Sequence, residues 1–217
     1  MKADYTDISI VLDRSGSMES IRRDTIGSYN AFLNDQKTVT GEATITLAQF
    51  NDIYEVVHHA IPLADAPELT VQNYIPSGST ALLDAIGRTI DETGGRLAAM
   101  PEADRPENVV FVILTDGEEN SSRHYSPQRI NDMIRHQSDV YRWQFVFLGA
   151  NQDAIMTASR LGIGSAQALT FAASPAGAQA ALGSVSKHLK AKRMKQVDFM
   201  AFSAEDRQQQ EEELKNK

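Results

Sequence analysis

In the stretch Ile8-Ser9-Ile10-Val11-Leu12-Asp13-Arg14-Ser15-Gly16-Ser17-Met18, an apolar run of strand-forming residues stops abruptly at an acid. Hydroxyls follow at the second and fourth positions after that acid, with a glycine between them. A nearly continuous apolar run is the pattern of a strand buried on both faces. Asp13, Ser15 and Ser17, by contrast, put three oxygen donors on one tight turn. The pattern recurs at residues 109–114, a second continuous apolar run, which ends in Thr115-Asp116-Gly117-Glu118-Glu119-Asn120.

Between and beyond these two runs, strand and helix signals alternate. Ile21, Thr25, Ile26, Tyr29, Phe32 and Leu33 recur at helical spacing and predict a helix over 19–36. Residues 43–50 and 53–61 read as two strands joined by a short Asn51-Asp52 turn, an antiparallel hairpin. Pro62 and Pro67 mark an irregular stretch that runs to Gly78. A second helix opens at Ser79-Thr80, with Leu82, Ala85, Ile86, Thr89, Ile90 and Leu97 on its apolar face and a weak point at Gly94-Gly95. Ser126-Pro127 and Ser174-Pro175 both combine an N-cap hydroxyl with a first-turn proline, so each predicts a helix start. Residues 143–148 and 168–171 read as strands, and Gly149-Ala150-Asn151 leads into a short helix bearing Ile155, Ala158 and Ser159 and closed by Gly162. Trp143, Phe145 and Phe147 alternate along their strand and read as core. Continuous apolar strands alternating with helices predict an α/β fold: a doubly wound, mostly parallel sheet covered on both faces.

Composition narrows the function classes. The 217 residues carry a net charge of −8, with 41% hydrophobic and 23% charged residues, which suits a soluble globular domain. An acidic balance argues against nucleic-acid binding, which needs clustered Lys and Arg against phosphates. The sequence contains no cysteine, so disulfides and thiolate metal sites are excluded. No apolar run approaches the length of a membrane span, and strand-like sequence begins too early for a signal peptide, so a cytoplasmic setting is expected. Lys187, Lys190, Lys192, Arg193 and Lys195 form a basic stretch that reads most simply as a charged helix end. Residues 197–202 are a small apolar cluster, and residues 205–217 are almost wholly charged or Gln, as in a solvated helix or a disordered tail.

In an open parallel sheet, ligands bind beyond the carboxyl ends of the strands where the strand order reverses. The strands before Asp13 and Asp116 are the candidates to flank that point, and Thr80 would bring a third hydroxyl to the same edge. The expected site is Asp13, Ser15, Ser17, Thr80 and Asp116: two carboxylates and three hydroxyls. Hard oxygens without sulfur or imidazole suit Mg²⁺, Mn²⁺ or Ca²⁺. Two carboxylates only balance a divalent cation, and neutral hydroxyls leave it electron-poor, so one further anionic oxygen is expected from outside. A carboxylate of a partner protein fits, as does a phosphate.

These residues closely resemble the metal ion-dependent adhesion site of the von Willebrand factor type A domain. That family's pattern is Asp-x-Ser-x-Ser, then a distant Thr, then a distant Asp. Here it stands as Asp13-Arg14-Ser15-Gly16-Ser17, Thr80 in Ser77-Gly78-Ser79-Thr80-Ala81-Leu82, and Asp116 in Thr115-Asp116-Gly117. Ser79 stands where bacterial relatives often have Gly. The resemblance covers about residues 4–193, giving a type A domain over 1–193 and a tail over 194–217. It implies six strands in the order 3-2-1-4-5-6 with one antiparallel edge strand, and protein binding through the metal; the charge count adds an acidic side chain of a partner, and the lack of an identifiable nucleophile or general base beyond the ligands argues for no enzymatic activity.

Alternatives remain at this level. Ser15, Ser17 and Thr80 are also ordinary helix N-caps, and the two acids ordinary strand ends. Arg14, Met18 and Glu118-Glu119 are candidates for a partner-selecting rim. His58-His59 and His124 are minor metal-ligand candidates, though adjacent strand residues point to opposite faces. An adaptor subunit of an ATPase or stress-response complex, with a mainly structural metal, is the second reading. Mg²⁺-dependent phosphoryl transfer is the third. Against it, Ser15 stands where aspartyl-nucleophile phosphatases place a second acid, and the sequence has no G-x-x-x-x-G-K-[ST] loop.

Overall fold

A computed structural model describes residues 1–150 and 153–215. Asn151, read above as part of a turn, and the last two residues of the tail lie outside the described residues. The strands β1 (Lys2–Asp13), β2 (Glu42–Phe50), β3 (Tyr54–Pro62), β4 (Pro106–Thr115), β5 (Gln144–Ala150) and β6 (Ala168–Phe171) form one sheet in the order β3-β2-β1-β4-β5-β6. All pairs are parallel except β2–β3. The helices are α1 (Arg22–Lys37), α2 (Leu82–Ala99), α3 (Pro127–Tyr141), α4 (Ala154–Arg160), α5 (Pro175–Arg193) and α6 (Ala204–Lys215). No helix among the described residues is long and apolar enough to cross a membrane.

Alternation along the strands divides the core in two. Ile8, Ile10, Leu12, Val110, Val112 and Leu114 pack with α1 and α5, whereas Val11, Phe111, Ile113, Phe145 and Phe147 pack with α2, α3 and α4. Two buried β1 positions on the α2 side are polar. Asp7 receives both of its 2.9 Å hydrogen bonds from the Arg96 guanidinium of α2, and the Ser9 hydroxyl lies 3.5 Å from that of Thr93. Helix α2 is thereby fixed to the central strand by charge as well as by packing.

Several local expectations need correction. A 3-10 turn, Gly16–Ile21, precedes α1, so the α-helix starts at Arg22 rather than at residue 19. Helix α2 starts at Leu82, two residues after Thr80, and runs unbroken through Gly94-Gly95. In α4 the buried residues are Ala154 and Ala158, while Ile155 and Ser159 face out. The Ser126 and Ser174 caps form, accepting from Arg129 N and Gly177 N, and Gly162 takes the left-handed conformation (φ +86°).

The basic stretch makes contacts within the chain. Lys187 pairs with Glu205, Lys190 with Asp35, and Lys195 with Asp4 and Glu107; Lys192 donates to Asp198 O and buried Arg193 to Gln36 O and Val39 O. The segment after α5 folds back on the body: Met200 and Phe202 are buried in the α1–α5 core, and Phe202 N donates to Ala166 O. Helix α6 then docks through buried Asp206, which accepts from Ser184 Oγ (2.9 Å), from Ser203 N (2.7 Å) and Oγ (2.8 Å), and lies 2.7 Å from His188 Nε2. Asp206→Ala is expected to lower stability by about 2–4 kcal/mol in urea unfolding, because it removes the shared acceptor and strands buried donors.

Candidate metal site

Strands β1 and β4 are neighbours in the sheet, with Leu12 opposite Leu114, and both run out at the same edge. The chain on either side of them goes to opposite sides of the sheet: β1 continues to β2, and β4 to β5. This is the reversal point at which open α/β sheets form ligand crevices. Asp13 ends β1, and Asp116 directly follows the end of β4.

The turn after β1 is tied on three sides. Ser15 N donates to Asp13 Oδ1 (2.6 Å), Arg14 N to Phe50 O (2.7 Å), and Gly16 N to Gly78 O (3.1 Å). Ser77 N donates back to Arg14 O (2.8 Å), so the loop that carries Thr80 lies against the turn that carries both serines. Thr80 itself is clamped by Asn120: its N–H reaches Asn120 Oδ1 (2.9 Å), and Asn120 N reaches its carbonyl (3.1 Å). Gly78 is required here, since its φ is +74° and a Cβ would stand 2.1 Å from Asp52 Oδ1.

The side chains of these loops converge. Ser15 Oγ and Ser17 Oγ are 3.1 Å apart, and Ser17 Oγ donates to Asp116 Oδ1 at 2.6 Å. A Cβ built on Gly117 would meet Thr80 Oγ1 at 3.0 Å, Ser17 Oγ at 3.5 Å and Ser15 Oγ at 3.8 Å. Three hydroxyls from two distant segments therefore surround the residue after Asp116. Asp13 lies beneath them, fully buried, with Thr115 Oγ1 donating to its Oδ2 at 2.5 Å and Tyr74 Oη to its backbone carbonyl at 2.6 Å.

None of these hydroxyls is committed to capping. Ser15 precedes the 3-10 turn without making a side-chain cap bond, and Ala81, not Thr80, is the N-cap of α2. The first amides of α2 are met from elsewhere: Leu83 N by Glu119 Oε2 and Asp84 N by Ser122 Oγ. Capping leaves Ser15, Ser17 and Thr80 unexplained at these positions.

The electrostatics point the same way. Burial raises Asp13 from 3.8 to about 6, against the lowering effect of the Thr115 and Ser15 hydrogen bonds, and the nearby Asp116 charge raises it further. Burial also raises Asp116, with Ser17 donation opposing it. No cation appears among the influences on either carboxylate. Two acids held together without a basic partner, ringed by hydroxyl oxygens, form a donor set that a hard divalent cation fits.

Thr115, Tyr74, Gly117 and Asn120 are absent from the sequence-derived set. Thr115 and Gly117 flank Asp116 directly, and that adjacency was the available signal; Tyr74 and Asn120 carry none. The rim candidates are redistributed. Arg14 pairs with Glu55 (2.8 Å), Met18 is fully buried, and Glu119 accepts from Leu83, Ser121 and Ser122. His124 lines a neighbouring cleft of about 740 Å³ together with Asp52, Asp84, Arg88 and Arg123. His58 is partly buried and His59 exposed, and no cluster of three His, Cys, Asp or Glu able to hold a metal occurs among the described residues.

No protein-family model matches the sequence, and a search of curated proteins finds no match. Solved structures do match. The pilus adhesin SpaC of Lactobacillus rhamnosus GG aligns with TM-score 0.66 and 15% identity over 88% of this chain and 30% of its own. A von Willebrand factor type A protein from Catenulispora acidiphila gives 0.58 and 17%, over 88% and 43%. The chain has the von Willebrand factor type A fold. Proximal thread matrix protein 1 of the mussel byssus shares this fold at TM-score 0.59 and 20% identity, over 87% of this chain and 46% of that one. A further structure of that mussel protein is described with a zinc-occupied MIDAS motif. This chain therefore spans less than half the length of each of these type A relatives.

Two outcomes test the geometry. Thr115→Val keeps the shape but removes the donor to Asp13, and is expected to cost about 1.5–3 kcal/mol in chemical denaturation. In chelator, Asp13→Asn should gain stability relative to wild type by about 2 kcal/mol between pH 4.5 and 7.5. The sign follows from a native pKa raised above the unfolded one: the wild type holds its proton more tightly when folded, and loses stability as pH rises through about 6.

Proposed function

We propose that this chain is a divalent-cation-dependent protein-binding module, in which Asp13, Ser15, Ser17, Thr80 and Asp116 hold the ion and an acidic side chain of a partner completes the site. The observation that carries this reading is the convergence of the Thr80, Ser17 and Ser15 hydroxyls around Gly117, beside Asp116 and above buried Asp13. A cation bound there would supply Lewis acidity toward one further anionic oxygen. The protein's own residues do the positioning. Ser17 donates its hydroxyl hydrogen to Asp116, so its oxygen accepts from the Ser15 hydroxyl and retains one further lone pair. Thr115 and the Ser15 amide fix both oxygens of Asp13, and Asn120 fixes the backbone of Thr80.

The zinc-occupied MIDAS motif described for the mussel protein supports a divalent ion in this fold. The all-oxygen donor set here favours Mg²⁺, with Mn²⁺ and Ca²⁺ as chemical substitutes. An adhesin among the neighbours supports binding over catalysis, as does Ser15 at the position a second catalytic acid would need. A cytoplasmic setting is part of the same proposal.

Thermal unfolding should shift upward in millimolar Mg²⁺ or Mn²⁺, by the equivalent of about 2.7 kcal/mol at a hundredfold excess over Kd. No shift, or an equal shift in Asp13→Ala, overturns the site. Metal-dependent hydrolysis of a phosphate monoester, lost in the same variant, would instead assign phosphoryl transfer. Partners retained equally with and without chelator would assign the adaptor with a structural ion.

A further inference from the structure

The surface beside the site is unlike the rim expected from sequence. Arg14, Met18 and Glu119 are turned to internal partners, while two loops beside the site expose the large apolar side chains Ile53 (61% exposed), Ile75 (53%) and Val71 (47%). They sit on the two segments bonded to the site itself. Ile53 follows the Asn51-Asp52 turn, whose Asn51 Nδ2 donates to Ser77 O (2.8 Å) and whose carbonyl accepts from Ala81 N (2.9 Å). Val71 and Ile75 sit on the loop that ends at Ser77-Gly78, which bonds the Arg14-Gly16 turn.

That loop is not loose. Arg22 donates to Val71 O (2.5 Å) and Tyr74 O (2.9 Å), and Asn30 both donates to and accepts from the Leu69 backbone. Its other apolar residues, Leu69 and Tyr74, are buried. The chain thus had an apolar interior within reach and still holds Val71 and Ile75 in water on a fixed backbone. Apolar groups grouped on a rigid surface next to a binding site are the usual mark of a contact patch. The exposed charges beside the site are mixed: Glu19, Asp52 and Glu118 are acidic, whereas Arg88 and Arg123 line the adjoining cleft with Asp52.

We propose that this apolar rim selects the partner: the segment that supplies the metal-completing carboxylate carries bulky aliphatic or aromatic side chains beside that acid. This rests on the carboxylate-binding reading above. A single carboxylate meets the electron-poor ion, and apolar neighbours cover Ile53, Val71 and Ile75.

The test uses the full chain, wild type and the double variant Ile53→Ser/Ile75→Ser, against displayed randomised peptides with a fixed central Asp, bound in Mg²⁺ and eluted with chelator. Both substitutions are at exposed positions, so melting temperature and its Mg²⁺ shift should be unchanged. Wild type is expected to recover peptides rich in Leu, Ile, Val or Phe around the fixed acid. A synthesised representative should bind the double variant about tenfold more weakly. Random flanking residues, or equal affinity for the two proteins, overturn the proposal while leaving the metal site standing. A metal shift without any chelator-sensitive peptide recovery overturns the carboxylate reading and the rim together. A peptide-free, Mg²⁺-dependent dimer that the double variant fails to form assigns the rim to a second copy, and also overturns the proposal.

Discussion

The buried carboxylate of Asp13 is the constraint around which this edge of the molecule is arranged. A carboxylate with no exposed surface and no basic partner carries a desolvation penalty, which appears as its upward pKa displacement. Its oxygens are met by Ser15 N and Thr115 Oγ1, and its carbonyl by Tyr74 Oη. Those three contacts join the first turn, the end of β4 and the loop before α2 at one point. Protonation relieves that penalty below about pH 6, and at higher pH a positive charge shared with the neighbouring oxygens would offset it. Structure and charge therefore make the same demand at the same residue.

The rest of the fold turns that point into a rigid one. Parallel strands set Asp13 and Asp116 at one height, because the register pairs Leu12 with Leu114. Thr80 depends on a longer chain of support. Helix α2 is anchored to β1 by Arg96 and Asp7, and its first amides are held by Glu119 and Ser122 from the loop after β4. That same loop supplies Asn120 to clamp Thr80. The loop after β4 thus positions two segments of the site at once, carrying Asp116 and fixing Thr80, without any of the capping acids entering the oxygen cluster.

The alternation of strands and helices was legible in the sequence because it rests on periodicity, and the strand order because the Asp-x-Ser-x-Ser, Thr and Asp segments resemble those of a known family. Two apolar runs ending in acids sufficed to locate the reversal point. Helix starts were legible where a serine and a proline coincide, at Ser126 and Ser174, and illegible where capping comes from another segment. Thr80 resembled an N-cap because the acceptors that serve α2 lie 36 and 38 residues later in the chain. The inward face of α4 was misread because small alanines rather than Ile155 pack against the sheet. The rim was misread for a related reason: sequence proximity to a ligand says nothing about which way a side chain turns, and Arg14, Met18 and Glu119 all turn inward or aside.

The division between oxygen cluster and rim has a physical logic. Coordination to a metal is indifferent to whatever surrounds a carboxylate, so a site of this kind grips any accessible acid with similar strength. Specificity is a difference of affinities, and must come from groups that respond to the acid's neighbours. On the loops bonded to the site, the exposed groups of substantial apolar area among the described residues are Ile53, Val71 and Ile75. A metal grip joined to such a border would recognise an acid in an apolar setting in preference to other accessible acids.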